Sequence, residues 1–390
     1  MPHTGIIETF FFIFAGAAIL ATVSLYTRQP MLVAYIALGV ILGPHATGWV
    51  GDAALLGEIS EFGIIFLLFL VGLDLQPGKL KNMLGESLMT AVGTTVVFFA
   101  IGFGILIAFD FSWIEACVAG IAAAFSSTIM GIKLLPTTAL HHRHIGEMVI
   151  SLLLIQDLLA ILAILLLNGL GTDSSGLWAS LGAIFLGLPL IGLLAVVGVR
   201  YVLLPLLQKF DAFHEFIFLV AIGWCLGVAT AANAIGLSLE IGAFIAGISL
   251  ATSPIALYIA ESLRPLRDFF LILFFFSVGA GLNIDLLDQV WLASALFALI
   301  LIAAKPVVFA GLLTMQKEDS SVAWEVGFRL GQASEFSLLL SFIAISNQLI
   351  GDEAGLIIQF GTVLTLVLSS YFVIFRYPSP IAPDPHLRRD

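Results

Sequence analysis

Charge is scarce in this chain. Charged residues make up 11% of its 390 positions and hydrophobic residues 60%. A soluble domain carries about 25% charged residues, so a water-facing globule is excluded. The mean hydropathy of +1.12 points to lipid as the solvent. Cysteine is nearly absent. Cys117 and Cys225 both fall in apolar runs, so they read as small packing residues and no disulfide framework is expected. The N-terminus lacks a Lys/Arg-rich n-region, so the first apolar run reads as a retained helix. No basic stripe with aromatics suggests nucleic acid. Walker A, HExxH, paired CxxC and GxSxG patterns are missing too. The expectation is a non-enzyme that needs no cofactor.

What the chain has is long apolar runs. One bilayer crossing takes about 20 apolar residues. Thirteen runs fit: 5–27, 31–45, 58–75, 87–110, 114–135, 146–168, 177–204, 213–235, 237–253, 266–283, 289–315, 321–347 and 355–376. This predicts an all-α integral membrane protein in the lipid bilayer. Residues 1–376 form one transmembrane domain and 377–390 a short cytoplasmic tail. Lys and Arg test the count independently. Arg28, Lys79, Lys81, Lys133, Arg143, Arg200, Lys209, Arg264, Arg267 and Lys317 fall in alternate loops, and Arg376, Arg388 and Arg389 in the tail. Thirteen of the 15 basic residues thus share one side. The positive-inside rule makes that side cytoplasmic, with the N-terminus out and the C-terminus in.

Three local matches recur at one offset. Gly39 matches Gly247, Gly72 matches Gly279 and Ser126 matches Ser334, at separations of 207 or 208 residues. This offset maps spans 1–6 onto spans 8–13 and leaves span 7, about 177–204, as a connector. Partners are an odd number of spans apart, so the two copies run in opposite directions. Such inverted repeats are a transporter signature.

A charge at mid-membrane is expensive and reads as functional by default. Asp157 lies mid-span beside Gln156 with no compensating charge nearby. A carboxylate among neutral oxygens can take a dehydrated monovalent cation, or a proton instead. The bland alternative is a protonated structural acid. Spans 5 and 12 carry small and hydroxyl residues at their centres: Phe125, Ser126, Ser127 and Thr128 in one, Ala333, Ser334 and Glu335 in the other. Both read as discontinuous helices that cross and free backbone groups at the midplane, although small-residue packing has the same composition. Lys305 precedes Pro306, which disfavours helix before it, and Asp157 with Lys305 is expected as a pair that the cation must break. Arg329 and Glu335 read as structural core charges, paired with each other or with a helix end. His141, His142 and His144 read as a solvated loop cluster.

Together the residues resemble a known family. Gly39-Val-Ile-Leu-Gly43-Pro44, Phe69-Leu-Val-Gly-Leu-Asp74, Phe125-Ser-Ser-Thr128, Gln156-Asp157, Gly242-Ala-Phe-Ile-Ala-Gly247 and Gly331-Gln-Ala-Ser-Glu-Phe336 look like the monovalent cation:proton antiporter-2 family, nearest its Kef-type potassium branch. The resemblance implies a homodimer in a bacterial cytoplasmic (inner) membrane. It implies a moving core of spans 4–6 and 11–13. It also implies alternating access at Asp157, with Gln156, Ser126, Ser127 and Thr128 as cation and proton ligands. K⁺/H⁺ exchange is expected first; Na⁺/H⁺ exchange on the same fold and a gated cation channel are the alternatives. A sensor or anchoring subunit without transport is disfavoured by the buried charges. Kef systems usually continue into a cytosolic nucleotide-binding domain. The chain carries none, which leaves room for a separate cytosolic regulatory subunit.

Overall fold

The computed structural model describes residues 6–50, 53–74, 77–136, 144–170, 186–210, 214–251, 253, 256–380 and 386–387. His141, His142 and Arg143 lie outside them; His144 is exposed and rests on Glu318 at 3.1 Å.

Among the described residues, every apolar run lies on one helix or on a broken pair; residues 177–185 of the run at 177–204 lie outside them. The helices are α1 (Ile6–Thr27), α2 (Met31–Leu42), α3 (Ala53–Asp74), α4 (Pro77–Ala108), α5 (Trp113–Ala124), α6 (Thr128–Lys133) and α7 (His144–Leu170). Then come α8 (Leu188–Gly198), continued through a π turn (Val199–Leu203) into α9 (Leu204–Lys209), and α10 (His214–Ala234). The rest are α11 (Leu239–Ala251), α12 (Ala256–Gly281), α13 (Leu287–Met315), α14 (Ser320–Arg329), α15 (Glu335–Ser346) and α16 (Asp352–Arg376). Among the described residues, eight helical stretches are long and apolar enough to cross a membrane, and four apolar helices are shorter.

Several helices outrun their apolar cores. α4 starts at Pro77 and α12 at Ala256, about ten residues before the apolar runs begin. These extensions carry Lys79, Lys81, Arg264 and Arg267. Hydropathy measures the hydrocarbon slab, while Lys, Arg and Glu are good helix formers that carry the helix beyond it.

The two breaks follow from their sequences. At the first, Phe125 caps α5 in extended backbone, and Ser127 caps α6, its hydroxyl accepting from Met130 N at 3.1 Å. At the second, Leu330 ends α14 and Ser334 caps α15, accepting from Phe336 N at 3.1 Å. Serine competes with the helix from its interior and stabilises it from the N-cap. The two capping serines, Ser127 and Ser334, are 207 residues apart, so the structural equivalent of Ser334 is Ser127, one residue from the Ser126 of the sequence match.

Pro306 behaves differently. It sits inside a continuous α13, so the expected opening at Lys305 does not form. Its carbonyl instead packs on α14, where a Cβ added at Gly327 would lie 2.6 Å from Pro306 O. Only glycine permits that approach.

The chain divides into two compact units. One comprises Met1–Gly51, Met83–Leu167 and Val278–Asp390; the other comprises Asp52–Asn82 and Asn168–Ser277. The first unit holds both breaks, α13 and α16. It also takes in α1 and α2, beyond the six-span core that the resemblance implied. In the second unit, α3 packs on α11 through facing glycines: a Cβ at Gly72 would meet Phe244 O at 2.5 Å. Small residues give such close backbone contact where lipid removes the hydrophobic drive for helices to associate.

Candidate functional site

Within the first unit the two breaks meet. Ser126 Oγ, in the first, donates to Leu330 O in the second at 2.8 Å. Gln332 Nε2 reaches back to Ser127 O at 3.4 Å and to Arg329 O at 3.0 Å. Ser369 and Thr365 of α16 hold the second break: Ser369 Oγ donates to Gln332 Oε1 at 2.9 Å, and Ala333 N donates to Thr365 Oγ1 at 2.9 Å. Buried backbone freed by a helix break must find such partners.

Lys305 lies at this junction. Its ammonium donates to Phe125 O at 2.5 Å, to Gln332 O at 3.1 Å and to Ser126 Oγ at 3.4 Å. Phe98 presents its ring 5.0 Å away. The side chain is fully buried. The cation thus ties together carbonyls that both breaks expose. It forms no ion pair with Asp157.

Asp157, 5% exposed, projects from α7. Thr128 Oγ1 contacts both of its oxygens, each at 3.0 Å. Gln156 Oε1 accepts from Ser126 N at 3.1 Å, while its Nε2 is buried without a hydrogen-bond partner. The next amide of α6, Ile129 N, donates to Glu335 Oε1 at 3.3 Å, and Glu335 Oε2 is buried without a partner. Gln156, Asp157 and Glu335 therefore converge on four consecutive residues, Ser126 to Ile129.

Arg329 is elsewhere. Its guanidinium pairs with Glu325 at 2.7 Å and donates to Leu134 O at 2.9 Å and Pro378 O at 2.8 Å. The expected Arg329–Glu335 pairing is not formed; Glu335 takes the other expected partner, a helix end. Glu325 was missed by the sequence reading, though its i,i+4 spacing to Arg329 was visible. Ser126 and Ser127 are at the junction, but their hydroxyls serve Leu330 O and the α6 cap. Thr128 alone of the three hydroxyls touches Asp157. Gln332 was visible only as part of the Gly331–Phe336 motif, with no role assigned; Thr365 and Ser369 were missed, and only their polarity within apolar runs marks them.

A buried carboxylate where two discontinuous helices meet, in an all-helical apolar bundle, defines a class: an ion-carrying membrane transporter. Comparison with known proteins narrows it. Residues 11–375 match the family described as "Sodium/hydrogen exchanger, transmembrane". The chain belongs to that family. It is a multi-pass cation/proton antiporter and not an enzyme; its cations are substrates and no cofactor is needed. The fold is similar to that of the sodium proton antiporter MjNhaP1 from Methanocaldococcus jannaschii at pH 8. The TM-score is 0.64 at 17% identity, over 94% of this chain and 95% of that one. The family description names sodium, where the motif resemblance pointed to a Kef-type potassium branch.

Proposed function

We propose that this chain exchanges Na⁺ for H⁺ by alternating access at Asp157. The observation that carries the reading is the buried Asp157 carboxylate held on Thr128 at the first helix break. A carboxylate at that depth takes a cation or a proton, and competition for one group couples the two fluxes. Gln156 and Thr128 would complete the ligand set, and Lys305 would hold the broken backbone in shape. The family description supports sodium. The wider reading keeps thirteen crossings, N-terminus out, as inverted repeats about the 177–204 connector, in a homodimer of the bacterial inner membrane. The common 207-residue offset of the two capping serines supports the repeat.

Potassium is the second reading, and Gln156 favours it. A neutral amide beside Asp157 lowers the local field, which favours the more weakly hydrated ion on the field-strength view of selectivity. The same observation, with the Kef-like motifs, is what would place the chain in a potassium branch.

Proteoliposomes with an imposed pH gradient, challenged with Na⁺, Li⁺, K⁺ and Rb⁺, test both readings. The expected result is saturable, Na⁺-driven proton movement that Asp157→Asn abolishes while the variant still inserts. Exchange with K⁺ and Rb⁺ alone would move the reading to potassium. Non-saturating flux, or full exchange by the folded variant, would remove the carrier mechanism.

A further inference from the structure

Glu335 has an oxygen that the fold does not use. Its Oε1 accepts from Ile129 N at 3.3 Å, while Oε2 is buried without a hydrogen-bond partner and the residue is 4% exposed. Most buried side-chain polar atoms have a hydrogen-bond partner, because an unpaired buried acceptor is costly. Thr128, one residue before Ile129, holds both oxygens of Asp157 at 3.0 Å. The two acids thus rest on consecutive residues of α6. Gln156 Nε2 is a second unpartnered polar atom of the same cluster.

We propose that Glu335 is the second carboxylate of the cation site, so that Asp157 and Glu335 together hold one dehydrated monovalent cation or, in its place, one proton. The proposal rests on the antiporter reading above and assigns Glu335 a role beyond capping.

Charge balance supports it. The charged side chains on the packed elements are few. Lys305 of α13 is fully buried, Arg329 of α14 is already compensated by Glu325, Glu115 of α5 is taken up by the N-cap of its own helix at Ser112, and Glu147 of α7 is exposed. Along α16 no charged residue lies between Glu353 and Arg376, and along α15 Glu335 has no charged neighbour. With Lys305 as an ammonium the cluster holds one positive charge, and with both acids ionised two negative ones. Adding one cation to the ionised acids leaves the cluster neutral, and so does adding one proton. If Glu335 were neutral throughout, Lys305 would be uncompensated in both loaded forms, which burial penalises. One-for-one exchange keeps this cluster neutral at both ends of the cycle. In the step itself the arriving cation is ligated by carboxylate oxygens, and the displaced proton leaves to water on the open side; no electrons move. Two carboxylates also raise the field that Gln156 lowers, in the direction that favours Na⁺.

Glu335→Gln tests the assignment, because the amide oxygen can still accept from Ile129 N while the charge is lost. Wild type, Glu335→Gln and Asp157→Asn are compared in proteoliposomes with NaCl and KCl over a pH series. The expected result for Glu335→Gln is a rise of about tenfold or more in half-saturating Na⁺. Its pH dependence should change and its Na⁺ preference should fall. A folded Glu335→Gln variant with wild-type cation affinity, pH profile and selectivity would overturn the proposal and leave Glu335 a cap. If that variant does not fold, the wild type decides. A hydrophobic carbodiimide should modify Glu335, read by peptide mass spectrometry, and NaCl should protect it. Modification that salt leaves unchanged, or none at all, would overturn the proposal. No cation-driven flux in the wild type would instead remove the antiporter reading, and this proposal with it.

Discussion

Lys305 and Arg329 illustrate two ways to keep a cation inside an apolar bundle. Lys305 donates hydrogen bonds to Phe125 O and Gln332 O, carbonyls left free at the two helix breaks. Arg329 has a carboxylate one turn away on its own helix, Glu325, and carbonyls from Leu134 and Pro378. The second arrangement is a scaffold joint, since it binds three parts of the chain and no atom of the Asp157 cluster. Removing Arg329 leaves Glu325 and two carbonyls without their partner. Breaking a buried pair from one side typically costs about 3–5 kcal/mol. Arg329→Ala should therefore lower thermal stability strongly, while any protein that stays folded keeps its cation selectivity. A thermal-shift assay with a Na⁺/K⁺ flux ratio checks both; normal stability with lost transport would place Arg329 in the ion path. The buried charges were legible as a set because ionisable residues are rare in these runs. Their partners were not. A pairing between Asp157 and Lys305 is the simplest match of opposite signs, but sequence does not display the carbonyls that a helix break releases. Backbone oxygens outcompeted the carboxylate.

At the scale of elements, the breaks make the site. α6 spans Thr128–Lys133, only six residues, and its N-cap is Ser127. Its first residues carry both Thr128, which holds Asp157, and Ile129 N, which holds Glu335. Loss of a serine N-cap typically costs about 1 kcal/mol. Ser127→Ala should loosen α6 more than it unfolds the protein. Hydrogen exchange should rise at Met130, the amide that Ser127 caps, and half-saturating Na⁺ should rise with it. Unchanged exchange at Met130 would show that the cap is not what holds α6. These breaks were readable in advance, since serines clustered mid-span have few uses other than capping or close packing. The continuity of α13 through Pro306 was not. A proline forbids one hydrogen bond, yet close packing of α14 at Gly327 holds the helix in line. Helix ends were also shifted where charged residues extend α4 and α12 beyond the apolar run.

In the whole molecule, the exchange proposed above requires cation and proton to compete for one buried site. The all-helical membrane fold follows directly from composition, because lipid leaves few ways to satisfy the backbone. Coupling does not follow from fold; it requires that the same oxygens serve both ions. Competition has a quantitative signature. Below the pKa of the site, each proton bound blocks one cation, so the apparent cation affinity weakens by about tenfold per pH unit at the limit. Well above that pKa the affinity becomes constant. The direct test is the half-saturating Na⁺ concentration of the wild type, measured in proteoliposomes across a pH series with pH equal on both sides at the start. The half-saturating concentration should climb as pH falls, at a maximal rate that saturating Na⁺ restores. A half-saturating Na⁺ concentration that stays the same across the range would mean separate sites for the two ions and would contradict this competition.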